Sequence, residues 1–166
     1  LLGMSRKQML TSKVIDVTEA MSRITSLIRR LVNENIELKI NCKKNLNQIK
    51  IDQGQFEQVL INLAINARDA ILDANRENGA LSIVLKNSVI KTPKDLGKNF
   101  ICPIPNGQIL PGKYILIEVI DNGTGISKKI MNNIFEPFFS TKTLKAGTGL
   151  GLSMVYGIVK QAEGHL

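Results

Sequence analysis

Tryptophan is absent from this chain, and tyrosine, phenylalanine and histidine number only two, five and one in 166 residues. No Phe, Tyr or Trp falls among the first fifty positions, although these carry ten Lys/Arg against four Asp/Glu and most of the net charge of +8. A basic stretch with no ring on which to stack a base, and with no recognisable DNA- or RNA-binding motif, argues against nucleic acid as a partner. A solvated helix face, or a docking surface for an acidic partner, fits it better. Long apolar runs are missing too: nothing approaches the ~18–20 residues that span a bilayer, and no signal-peptide pattern opens the chain. Cysteine is rare, and Cys42 and Cys102 form neither a metal-ligand spacing nor a redox pair. They read as small buried hydrophobes in a reducing cytosol. The opening Leu1-Leu2-Gly3 has no initiator methionine, so the sequence reads as a piece of something longer. What remains is ordinary for one globular domain with one core: 43% hydrophobic and 22% charged residues.

Residues 1–10 read as the end of a helix, with Leu1, Leu2, Met9 and Leu10 near one face, too short to stand alone. Val14–Asp16 is a short extended piece. Asp16 precedes Glu19 by three, a capping-box-like start for a helix to about Asn33 with apolar residues at helical spacing. Asn35–Asn41 alternates as a half-buried strand, and Ile49-Lys50-Ile51 is expected to be its antiparallel mate across a Lys- and Asn-rich turn. A second helix is expected over about Gln53–Asn75, with Phe56, Val59, Leu60, Leu63, Ala64, Ala67 and Ala70 toward a core. Strands follow at Ala80–Ile90 and Tyr114–Ile120, separated by a proline-rich loop over Lys91–Gly112. A short helix over Ser127–Ile134 and a last helix over Leu150–Ala162, ended by Gly164, complete an α/β sandwich with a mixed sheet and helices on one face.

Four short segments carry the chemistry. Asp121 directly follows a strand, and its carboxylate can accept a hydrogen bond from the exocyclic amine of adenine. Gly123 and Gly125 beside it would let a flat ring approach the backbone. An Asp-Asn-Gly turn explains the same residues without a ligand. Asn62 and Asn66 lie four apart on one side of an apolar helix in which asparagine is a poor former. An amide oxygen suits Mg²⁺ shared with phosphates; two solvent-facing amides are the plain alternative. Gly147-Thr148-Gly149-Leu150-Gly151 leads into the last helix and offers free N–H groups and a positive dipole end to phosphate, or else serves as a hinge. It matches neither a P-loop nor a Rossmann turn. Phe135, Phe138 and Phe139 crowd the space between the two glycine segments. They read as core or as the anchor of a lid that carries Lys142 and Lys145 toward phosphate.

In this order, Asn62-Leu-Ala-Ile-Asn66-Ala-Arg-Asp-Ala70, Asp121–Gly125, Phe135–Phe139 and Gly147–Ser153 resemble the N, first glycine, F and second glycine boxes of the ATP-binding domain of bacterial sensor histidine kinases. That family lies within the gyrase, Hsp90, histidine kinase and MutL superfamily, and the resemblance covers about residues 34–166. It implies a Bergerat ATP-binding fold, an α/β two-layer sandwich with a mixed, mostly antiparallel sheet and helices on one face, preceded by the end of a dimerisation helix. In those terms residues 1–12 end the dimerisation and histidine-phosphotransfer helix, 13–33 form a linker strand and first helix, and 34–166 form the rest of the catalytic domain with its C-terminal strands missing. Leu1–Lys7 is similar to the end of the second dimerisation helix in hybrid kinases.

The resemblance also implies ATP or ADP with Mg²⁺ as cofactors. Asn66 would be the metal ligand, and Asn62 and Lys142 would serve the reaction. The nucleotide would be held by Asn62, Asn66, Asp69, Asp121, Gly123, Gly125, Ile126, Phe135, Thr141, Lys142, Gly147, Thr148, Gly149, Leu150, Gly151 and Leu152. The implied partners are a dimerisation and phosphoacceptor domain of the same parent and a downstream receiver or phosphotransferase. The parent would be a homodimer, this piece a cytoplasmic monomer without membrane contact of its own, even where the parent is anchored in the inner membrane.

Members of the superfamily that hydrolyse ATP have a glutamate four residues before the metal-binding asparagine. Here that position is Asn62, whose amide cannot take a proton, so phosphoryl transfer is favoured over hydrolysis. The acceptor histidine of the family is not here: His165, the one histidine, lies past the last helix and precedes Leu166, not an acidic residue. A nucleotide-sensing module without transferase activity, and an ATPase of the gyrase or MutL kind, are the rival readings.

Overall fold

The structure, a computed structural model, describes residues 11–92, 109–141 and 148–166. The expected helix end at 1–10, most of the proline-rich loop, and Cys102, Lys142, Lys145 and Gly147 lie outside the described residues.

Strand β1 (Lys13–Asp16) passes straight into helix α1 (Val17–Leu31). The junction is the expected cap, because Asp16 accepts from the amides of Thr18 at 2.8 Å and Glu19 at 3.2 Å. Glu19 does not reach back; its carboxylate pairs with Arg23 one turn on. Val17, Ala20, Met21, Ile24 and Ile28 form the buried stripe of α1. Strands β2 (Ile36–Cys42) and β3 (Gln48–Ile51) follow, then helix α2 (Gln53–Asp73), strand β4 (Gly79–Ile90), strand β5 (Gly112–Asp121) and helix α3 (Gly151–Gln161).

Helix α2 is the organising element, packed against α1, α3, β4 and β5. One side of it enters the core through Phe56, Val59, Leu60, Ala64, Ala67 and Ile71. Beneath lie Leu81, Ile83 and Leu85, alternate residues of β4, with Ile115, Ile117 and Val119 of β5 packed against the cluster. Cys42 packs against this core as expected, and burial raises its thiol pKa, keeping it a protonated hydrophobe. No described helix is long and apolar enough to cross a membrane.

The expected hairpin of β2 and β3 does not form. Strand β2 runs parallel to β4, with Ile36 opposite Gly79 and Cys42 opposite Leu85, and β4 runs antiparallel to β5. Strand β3 instead pairs antiparallel with β1, Lys13 opposite Ile51, in a separate two-stranded sheet. The intervening turn explains the divergence. Asn45 adopts a left-handed φ of 55°, and the Asn87 side chain on β4 donates to the Asn45 carbonyl at 2.7 Å and accepts from Asn47 N–H at 2.9 Å. The turn is therefore fastened to β4, and the chain leaves the sheet before it can fold back on β2. Described pairings are thus mixed in direction, as expected.

Two further expectations change. Ser127–Ile134 forms successive turns rather than a helix, with i→i+3 bonds from Ile130, Asn133 and Glu136 amides to Ser127, Ile130 and Asn133 carbonyls. Helix α3 does end at Gly164, but the left-handed residue is Glu163, with φ 58°. The amides of Glu163 and Gly164 bond the carbonyls of Lys160 and Val159 at 3.0 and 2.8 Å, a Schellman closure with glycine one position late.

Candidate nucleotide site

The side of α2 away from the core carries Asn62, Leu63, Asn66, Asp69, Ala70 and Asp73, and these residues form one wall of a cavity of about 550 Å³. The two asparagines of this otherwise apolar helix thus face the cavity, on the side opposite the core. Opposite stand the end of β5, the loop after it, and the first turn of α3, which contribute Asp121, Thr124, Gly125, Ile126, Gly149, Gly151 and Leu152.

Asp121 ends β5, and its Oδ1 accepts from Gly123 N–H at 2.8 Å. The turn reading of the motif therefore holds, and the same residue lines the cavity. Gly123 is needed for packing: a Cβ there would lie 2.5–2.7 Å from the Ala70 backbone and side chain. Thr124 N–H then bonds the Ala70 carbonyl at 3.1 Å, which closes the loop onto α2. Gly125 has open space around it and a φ of +71°, so its freedom is conformational.

At the other end, Asn62 accepts from Gln58 at 2.9 Å and donates weakly toward the Gly151 carbonyl at 3.4 Å. Asn66 Nδ2 is buried without a hydrogen-bond partner. A Cβ on Gly151 would stand 3.6 Å from the Asn66 amide, so glycine leaves that amide unscreened. An orphaned buried amide in a cavity wall is costly unless a ligand completes it. Among the described residues no group of three His, Cys, Asp or Glu could hold a metal alone. The Asn66 side chain would fit a cation only through its amide oxygen, with the remaining positions filled by a ligand's oxygens and water, as for Mg²⁺ on phosphates. Helix α3 begins at Leu150 with no side-chain cap and no acidic residue in its first turn, which leaves its leading N–H groups and positive end uncommitted.

Of the residues singled out from sequence, Asn62, Asn66, Asp69, Asp121, Gly125, Ile126, Thr141, Thr148, Gly149, Gly151 and Leu152 line one cavity. Gly123 and Leu150 support it from behind, as packing residue and helix cap. Phe135 lies instead against Tyr156 of α3, ring centroids 5.6 Å apart, while Phe139 lines the cavity and Phe138 is 76% exposed. His165 packs edge-on against Tyr114, away from the cavity, its pKa lowered by burial and by Lys160.

Sequence reasoning missed Asp73 and Thr124 as wall residues, and Arg68, which bonds Asp69 at 2.6 and 2.8 Å and the Leu31 carbonyl at 3.0 Å. Helix phase could have found Asp73, seven residues beyond Asn66 on the same side. Nothing local announces the reach of Arg68 across to the end of α1.

Comparison with known proteins agrees with this geometry. The family model described as histidine kinase-, DNA gyrase B-, and HSP90-like ATPase matches residues 51–166. The sensor kinase CckA of Brucella abortus (strain 2308) is 43% identical over 166 residues, all of this chain but 16% of that protein. The chain therefore spans about a sixth of that curated relative's length. Among solved structures, the mycobacterial sensor histidine kinase MprB is similar with a TM-score of 0.64 and 22% identity, over 92% of this chain and 81% of that one. Full-length ShkA in complex with AMPPNP is similar with a TM-score of 0.61 and 20% identity, over 91% of this chain and 26% of that one. At these identities the two structures speak for the fold. The chain belongs to the histidine kinase-, DNA gyrase B-, and HSP90-like ATPase family.

Proposed function

We propose that this domain binds Mg²⁺-ATP in the cavity beside α2 and passes the γ-phosphoryl group to a histidine on a helical domain of the same parent. The observation that carries the reading is the convergence in one cavity of Asp121, Asn66 and the first turn of α3. Asp121 supplies an acceptor for the adenine amine, and the uncapped α3 terminus supplies donors for phosphate. Asn66 would hold Mg²⁺ through its amide oxygen; once bound, the ion offsets the charge of the transferring phosphoryl group. Asn62 is the wall residue at the position where a hydrolase of this family would hold its base, and its amide accepts from Gln58. It positions without abstracting a proton, so water is not activated and ATP is kept for the acceptor. Asp69, held by Arg68, and Lys142 would complete the phosphate side.

The binding of AMPPNP by ShkA, a neighbour in fold, supports a nucleotide in this cavity. So does the 43% identity with a sensor kinase over the whole chain. A parent acting as a homodimer, with the phosphoryl group relayed to a receiver aspartate, follows from the same reading.

Mixing the chain with its parent's helical domain and γ-labelled ATP tests the transfer. Acid-labile, base-stable label on the helical domain is expected. Steady phosphate release by the chain alone would favour the ATPase reading, and binding with neither product would leave a nucleotide-sensing module. Asp121→Asn removes a charged acceptor and should weaken ADP binding by about 1–3 kcal/mol in a calorimetric titration. Unchanged affinity would move base recognition elsewhere.

A further inference from the structure

Asp121 can read a base only if its carboxylate is held in one place, and it stands at the exposed end of a strand. Its neighbour Asn122 lines no part of the cavity, yet it makes the densest set of bonds in the segment. Its N–H donates to the Ala80 carbonyl at 3.2 Å. Its side-chain oxygen accepts from the Ala80 N–H at 2.9 Å, and its side-chain nitrogen donates to the Asn78 carbonyl at 2.7 Å. The amide side chain thus pairs with β4 as a backbone peptide would, and extends the β4–β5 ladder one step past the Leu81–Asp121 pair. Asparagine alone combines the length, the acceptor and the donor that this requires.

We propose that Asn122 is the positioning residue for the base-reading carboxylate: it fixes the end of β5 to the start of β4, so that Asp121 faces the cavity before ligand arrives. The inference rests on the reading of Asp121 as the base acceptor. Three fastenings act in series along four residues. Asn122 ties the loop to β4, Gly123 seats it on α2, and Thr124 bonds the Ala70 carbonyl. Of these, only Asn122 acts through its side chain, so it is the one whose contribution substitution can isolate. Without the two side-chain bonds Asp121 samples other rotamers and loop positions, and ligand binding must then order them.

The test is a double-mutant cycle read with two ligands. Wild type, Asn122→Ala, Asp121→Asn and the double variant are titrated by calorimetry with ADP and with inorganic tripolyphosphate, each with Mg²⁺. Asn122→Ala should weaken ADP binding by about five- to tenfold, the worth of one or two side-chain bonds. It should leave tripolyphosphate affinity unchanged and cost nothing further in the Asp121→Asn background. Equal losses for both ligands, or additive losses with Asp121→Asn, would overturn the proposal and reduce Asn122 to a stability residue. Asn122→Asp keeps the acceptor for Ala80 but turns the donor to Asn78 into a charged acceptor that repels that carbonyl. It should show a loss confined to ADP, and it carries the test if the alanine variant does not fold. Failure of the wild-type chain to bind ADP would count against the nucleotide site itself, a result distinct from any pattern among the variants.

Discussion

The two ends of the cavity, proposed to take the base and the phosphates, are built by different means. At the base end, Asn122 bonds Ala80 of β4 and Asn78 just before it, Thr124 bonds Ala70 of α2, and the Asx turn of Asp121 closes the loop on itself. At the phosphate end the segment before α3 is held by close backbone contact. Gly149, at φ +66°, lies so near Phe138 that a Cβ would meet its carbonyl carbon at 2.5 Å, and Phe138 itself has φ 66° with its ring exposed. A non-glycine residue in that conformation costs about 1–3 kcal/mol and persists where its surroundings enforce it. Helix α3 begins there without a side-chain cap, and Asn66 leaves a buried N–H group unpaired. One end is closed by its own hydrogen bonds, whereas the other carries strain and an unpaired amide N–H, a donor that a phosphate oxygen would satisfy. On the proposed reading, the base subsite is preorganised and the larger share of ligand-driven ordering belongs to the phosphates.

Substitution of three glycines separates the two constructions. Gly149→Ala meets both a strained left-handed φ and a backbone clash, and should cost roughly 3 kcal/mol or more in denaturant unfolding, with the loss of tripolyphosphate binding. Gly123→Ala keeps an ordinary φ but collides with Ala70, and should cost about 2–3 kcal/mol as the base-end loop is driven off α2. In that variant ADP affinity should fall while tripolyphosphate affinity is retained. Gly125→Ala meets only the conformational penalty, about 1–2 kcal/mol, since nothing lies within 4 Å of the added carbon. If the three cost the same, or if Gly123→Ala weakens tripolyphosphate as much as ADP, the contrast between the ends fails.

The smallest effect lies beyond both ends. Glu163 closes α3 in a left-handed conformation that glycine adopts freely, so Glu163→Gly should stabilise the domain by about 0.5–1 kcal/mol. A loss of stability would mean that the Glu163 side chain contributes something its backbone conformation does not reveal.

The legible part of this molecule was the part whose signal is local. Asp16 as a cap, the apolar stripe of α1 and the strand at β4 each depend on neighbours within a few residues, and all formed as read. The site was legible for the same reason: Asn62 and Asn66 stand one helical turn apart, and glycines mark both loops. What failed depended on distant partners. Alternation identified β2 and β3 as strands but could not say that Asn87, forty residues away, would fasten the turn between them and send β3 to β1. The stretch over Ser127–Ile134 had the apolar spacing of a helix, yet Ile130 and Ile134 were recruited to the cavity wall, and turns sufficed to present them. Gly164 was read as ending α3 and does close it, but the Schellman geometry gives the left-handed position to Glu163, which no local signal announced.

The most direct measurement is a calorimetric titration of the chain with ATP and Mg²⁺, with free phosphate followed in the same sample. Saturable one-to-one binding that leaves ATP intact is the expected result, because in the proposed reading Asp121 and Asn66 would hold the nucleotide while Asn62 would activate no water. Absence of binding, or steady release of phosphate without any acceptor domain, would contradict the account.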